Sequence, residues 1–149
     1  MDNFLAIEPE LIQRVREQLG AAMPELHVLC AADLAGVQEE RQLVPAVHLV
    51  YRGYRVLEVN ASRKAARVEV TCMAVVATRN ARSVRSGADA RADAGVLAAR
   101  VIGALCGWQP PSAARPMALA PAPNASFSGG FQYLPLAFST EMTVTASRP

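Results

Sequence analysis

The chain is 149 residues long, 52% hydrophobic, 19% charged and 5% aromatic, with a formal net charge of +2. That length fits one domain, 1–149, and so much apolar side chain with so little charge excludes a disordered polymer. Its apolar runs fall short of the roughly 18–20 residues of a membrane span, and Met1-Asp2-Asn3-Phe4-Leu5 lacks the basic start and apolar stretch of a signal peptide, so neither is expected.

Residues 7–20 predict an amphipathic helix. Glu8-Pro9-Glu10 places a proline and two acids in its first turn, where a missing N–H costs nothing and negative charge meets the positive helix end. Ile7, Leu11, Ile12, Val15 and Leu19 recur at helical spacing, and Gly20 is the expected stop. After Pro24, residues 26–30 predict a short strand with Leu26, Val28 and Cys30 on one face and His27, a surface or edge histidine, on the other. Residues 31–40 are expected to hold one or two helical turns, with Asp33 as a cap. Residues 45–51 read as a strand with Val47, Leu49 and Tyr51 facing together. Arg52-Gly53 ends or kinks it, residues 54–59 continue extended, and residues 60–64 form a polar turn. Residues 66–78 give the longest strand, in which Val68, Val70, Cys72, Ala74 and Val76 alternate with Arg67, Glu69, Thr71 and Met73. Together these segments predict a long antiparallel hairpin with a basic tip.

A polar, arginine-rich stretch at 79–87 precedes a second helix, expected from about 88 to 105. Its small residues, Ala90, Ala94, Gly95, Ala98, Ala99, Gly103 and Ala104, are expected to let it approach a sheet closely, with Val96, Leu97, Val101, Ile102 and Leu105 as its apolar surface. Gly107 terminates it, and the corner Trp108-Gln109-Pro110 is expected to lock it onto the sheet. Residues 110–123 are rich in proline and alanine, with Met117-Ala118-Leu119 a candidate short strand. Residues 124–130 are a polar loop, and residues 131–138 lead into a final strand at 139–145. The order of helix, strands, helix, strands implies an α+β fold: two principal helices packed on a mainly antiparallel sheet with a long β-hairpin.

The net charge hides a segregation. Residues 1–40 carry eight acids and two arginines, a balance of −6, whereas residues 60–91 carry seven bases and two acids, a balance of +5. Such a split fits ordinary solvated faces, and it also fits a head-to-tail oligomer in which one face attracts a different face of the next copy. Cys30, Cys72 and Cys106 are an odd, widely spaced set among apolar neighbours, which predicts buried structural thiols, an intracellular assembly site, and neither a disulfide framework nor a zinc site.

Catalytic signatures are missing from the sequence. It has no G-x-S-x-G elbow, no H-E-x-x-H, no phosphate-binding glycine loop, and only His27 and His48 as histidine bases. Asp89 and Asp93 share a helix face, but acids at a helix start already have an electrostatic reason to be there. No enzyme, cofactor or metal is expected. A basic nucleic-acid-binding module is a competing reading, because Arg63, Lys64, Arg67, Arg79, Arg82 and Arg85 could neutralise phosphates. Against it, no aromatic residue for base stacking lies between Arg63 and Arg91.

Four ordered patches are familiar: residues 45–53 (PAVHLVYRG), 75–80 (VVATRN), 104–110 (ALCGWQP) and 133–138 (YLPLAF). With the helix between them, and the N-terminal helix and short strand before them, they resemble the tail terminator, or tail completion, proteins of long-tailed bacteriophages, especially those of Mu-like prophages. The resemblance implies a virion protein at the head-proximal end of the tail. Such a protein is expected to form a homohexameric ring on the tail tube protein, stop tube polymerisation, join neck or head-completion proteins, and let DNA pass through its lumen without specific binding. Within that reading Arg63, Lys64, Arg67, Arg79, Arg82 and Arg85 are candidate subunit or tube contacts, and Gly53, Gly107, Trp108 and Pro110 are structural. A head-completion or connector subunit of the neck is the alternative within the virion.

Overall fold

The computed structural model describes residues 3–30, 41–79 and 88–147, with side chains in the last stretch from residue 93 onward. The elements in chain order are α1 (Ile7–Leu19), β1 (His27–Cys30), β2 (Ala46–Val59), β3 (Ala65–Arg79), α2 (Ala88–Leu105), β4 (Ala118–Ala120), β5 (Ser126–Ser128) and β6 (Phe131–Thr145). The helical turns expected within 31–40, with Asp33 as cap, lie outside the described residues.

The sheet is built on three long strands, β2, β3 and β6, of 14, 15 and 15 residues. Its order is β1-β2-β3-β6-β4, with β5 also on β6, so β3 lies between its two long partners. Every pairing is antiparallel except that of β1 with β2, which is parallel. The α+β class with a mainly antiparallel sheet is therefore the observed one.

Alternation explains the layering. Pairing puts Val68, Val70, Cys72, Ala74 and Val76 of β3 beside Val47, Leu49 and Tyr51 of β2 and Phe138 and Met142 of β6 on one sheet face. Both helices cover that face. Ile7, Leu11, Val15 and Leu19 of α1 and Ala94, Leu97, Ala98, Val101, Ala104 and Leu105 of α2 are buried in one core with these strand residues. Fully burying a leucine or phenylalanine contributes about 1.5–3 kcal/mol, so this shared layer is what holds the helices to the sheet.

Local expectations divide. Gly20 stops α1 as expected, as its C-cap at φ −60°, and the chain makes a further turn before β1. Of the two outcomes open at Arg52-Gly53, the strand is kinked and not ended: Gly53, at φ 127°, absorbs a bulge between Tyr51 and Gly53 while the strand continues to Val59. The polar loop at 124–130 contains the short strand β5, turned into β6 by Gly129 and Gly130, both at positive φ. The small residues of α2 divide: Ala94, Ala98 and Ala104 face the core, whereas Gly95, Ala99 and Gly103 face solvent, as does Val96. A helix has more circumference than its stripe can bury, and only the residues in phase with Leu97 and Val101 reach the sheet. Of the cysteines, Cys72 is buried, Cys30 is half-buried and Cys106 is exposed just beyond α2.

The first-turn acids of α1 do more than face the helix end. Glu8 Oε1 accepts the backbone N–H of Tyr51 at 3.0 Å, and Glu10 Oε1 accepts the N–H and hydroxyl of Ser112 at 3.0 and 2.7 Å. At the other end of α2, Gly107 takes φ 81°, its N–H donates to Met117 O at 2.8 Å, and Met117 N–H returns a bond to Trp108 O at 2.8 Å. Arg14 donates to Ala104 O at 2.9 Å and lies over the Trp108 ring at 5.3 Å. The corner therefore ties α2 to α1 and to the approach to β4, with Pro110 buried beneath it.

Candidate functional site

The far end of the β2–β3 hairpin is a rigid projection. Asn60 Oδ1 accepts the backbone N–H groups of Lys64 (3.1 Å) and Ala65 (3.2 Å) and the Ser62 hydroxyl (3.1 Å). Arg63 adopts φ 62°, and its N–H donates to Asn60 O at 3.0 Å. From the third strand, Ala146 N–H donates to Lys64 O at 2.6 Å. Asn60 thus accepts three successive backbone N–H groups, of Arg63, Lys64 and Ala65, which leaves the turn little to gain by rearranging. Arg63 and Lys64 stand exposed on this fixed turn.

Behind the tip, on the sheet face away from the helices, runs a rail of alternating charge. Arg55 pairs with Glu69 at 3.4 Å, and Arg67 is clamped between Glu58 at 3.3 Å and Glu141 at 3.1 Å. The hydrogen bond to Glu141, followed by that carboxylate's charge, raises the Arg67 guanidinium further above its ordinary range. Arg67 is thus already committed to two carboxylates and offers less to a phosphate than Arg63 or Lys64. The neighbouring Thr140 hydroxyl donates to Arg115 O, which holds the 110–117 segment against the same strands.

Arg79 sits at the opposite end of β3 with its guanidinium over the Phe131 ring at 5.0 Å. It borders a cavity of about 470 Å³ whose lining includes Met23, Glu25, Val44, Asp93 and Val96. Arg82 and Arg85 lie outside the described residues, as does the side chain of Asp89. Of the six candidate contact residues, the structure therefore brings Arg63, Lys64 and Arg67 together and places Arg79 at the other end of the sheet. Sequence reading missed Glu58 and Glu141 as partners of Arg67; the outward alternation of 67 and 69 was the available signal, but the identity of the third strand was not.

Two titratable side chains, His48 and Cys72, are buried in the sheet. His48 is 5% exposed, its Nε2 has no hydrogen-bond partner, and burial lowers its pKa from 6.5. Burial, with a smaller contribution from the Glu8 charge, pushes the Cys72 thiol up to about 12, so it is a packing residue rather than a nucleophile. Among the described residues no three His, Cys, Asp or Glu side chains gather as a metal site would require, and no helix is long and apolar enough to cross a membrane.

Comparison with known proteins agrees with this architecture. The family model described as phage tail terminator protein matches residues 1–148. A chain in the solved virion of a native gene transfer agent (GTA) particle is similar in fold, with a TM-score of 0.50 at 17% identity, over 93% of this chain and 98% of that one. No curated protein sequence matches at a significant level.

Proposed function

The chain belongs to the phage tail terminator family, structural proteins of the virion tail, and from that membership we propose that it caps the head-proximal end of the tail tube as a homohexameric ring. In this reading residues 1–149 act as one domain. One side of the ring meets the last tube ring and stops further polymerisation; the other meets neck or head-completion proteins, with DNA passing through the lumen. Function rests on shape and charge, with no step of catalysis.

The match over residues 1–148 carries the proposal. The structure adds a stiff three-stranded projection with Arg63 and Lys64 at its tip, suited to contacts beyond its own subunit. Such contacts between unlike faces close into rings when the rotation permits. Nucleic-acid binding is less favoured, because Arg67 is neutralised and Arg79 lies at the far end of the sheet from the tip.

Electron microscopy of particles made with and without the chain tests the reading. Loss of the chain should give tubes of uncontrolled length without heads, and labelled chain should appear at the head–tail joint. Tubes of normal length without it, or label on the capsid side alone, would overturn it in favour of a connector role.

A further inference from the structure

We infer that the hairpin tip of one subunit seats in the cavity at the base of the hairpin of the next copy. This rests on the ring reading above and specifies which surfaces meet. The tip and the cavity lie at opposite ends of the same element: β2 runs from Ala46, beside the cavity-lining Pro45, to Val59, beside the tip. Fourteen extended residues span about 46 Å, so the two surfaces are well separated and cannot meet within one chain. Contact between them must be between copies, and it is heterologous.

Shape and charge are complementary. The tip is convex, held by Asn60 and by Ala146, and carries exposed Arg63 and Lys64 next to Val59, which is 51% exposed. The cavity is concave, holds about 470 Å³, and combines apolar Met23, Val44 and Val96 with the carboxylates of Glu25 and Asp93. Val96 is 58% exposed on a helix whose other large apolar residues among those described face the core, so it is an apolar side chain left mostly open. Arg79 also borders the cavity, but its guanidinium is stacked on Phe131, and among the described residues the lining carries two acids and one base. A tip that arrives preformed loses little conformational freedom on seating, which favours association. Two cations meeting two acids at a partly apolar site also fix the register, and the contact weakens as salt screens it.

Charge reversal with rescue tests the contact, using the full chain and reading self-association by sedimentation at low ionic strength. Arg63→Glu with Lys64→Glu should weaken association at least about tenfold, as should Glu25→Lys with Asp93→Lys, and the four-site combination should recover most of the loss. All four positions are exposed, so thermal melting should show each variant folded. Association of the parent chain that neither pair weakens overturns this contact and leaves the ring reading standing. If the parent chain is monomeric in solution, Lys64→Cys with Val96→Cys is read in assembled tails. Oxidation should then link copies into a ladder, and tails that contain the chain without such links overturn the contact. Absence of the chain from tails overturns the ring reading and this inference with it.

Discussion

The same three strands build two different regions. Near the base of the sheet, Val47, Leu49, Ala74, Val76 and Phe138 are at most 1% exposed and sit under both helices. Towards the tip, the strands carry Arg55, Glu58, Arg67, Glu69 and Glu141 on one face and leave Tyr54, Val56 and Val59 more than half exposed. The base is held by area removed from water, and that core reaches as far as Val68 and Met142; beyond them the tip is held by ladder and turn hydrogen bonds, with surface ion pairs of little net worth on the outer face. The tip is thereby the stretch of the sheet on which the fold depends least, so surface changes there can be read for the proposed assembly without unfolding the molecule.

Breaking the base should have the largest effect. Phe138→Ala, at 1% exposure, should cost about 3–5 kcal/mol in urea denaturation, because the ring leaves a cavity that neighbouring strands cannot close. Gly107→Ala should cost about 1–2 kcal/mol, since φ 81° is unfavourable for an L residue even though no atom lies within 4 Å of the new methyl. Gly95→Ala should act with the opposite sign, stabilising by about 0.5–1 kcal/mol, because that helical position is open and faces solvent.

A pH series sharpens the contrast further. His48 is held neutral by burial, so its folded pKa lies below the unfolded value of 6.5. The unfolded chain then takes up the proton first, and stability present above about pH 6.5 is lost as pH falls towards the folded value. The denaturation midpoint should drop between pH 7 and 5, and His48→Leu should reduce that slope. At the small end, Arg67→Ala should leave the midpoint essentially unchanged despite two ion pairs, since its partners keep access to water. A loss comparable to that of Phe138→Ala would show that the rail stabilises the fold and would remove the distinction between the two regions.

What was legible in the sequence depended on range. The bounds of α2 and the alternation from Val68 to Val76 follow from periodicities of 3.6 and 2, which a short window contains. The basic tip and the Gly107 stop are likewise local chemistry. The parallel pairing of β1 was not legible, because strand direction is set by the partner, which begins at Ala46, and not by the alternation within β1 itself. Nor was the clamp on Arg67, whose partner Glu141 lies 74 residues away, or the Glu10–Ser112 bond, whose ends are 102 residues apart. Val96 shows the same limit on a helix: its hydrophobicity marked it for the core, while the phase set by Leu97 and Val101 turned it outward. The resemblance was readable in short patches such as Gly107-Trp108-Gln109-Pro110, because the residues that build this corner are neighbours in the chain.

The bond from Ala146 to Lys64 has a consequence for the order of folding. The β2–β3 hairpin contains all its own pairing information and can zip once residue 79 has emerged, but its tip lacks its third support until β6 has docked along β3. That docking closes a segment of more than fifty residues and belongs to the slow, non-local steps of folding. In the proposed ring, a chain would offer a fully supported tip to the next copy only once β6 has docked along β3, so that docking would precede recognition between copies.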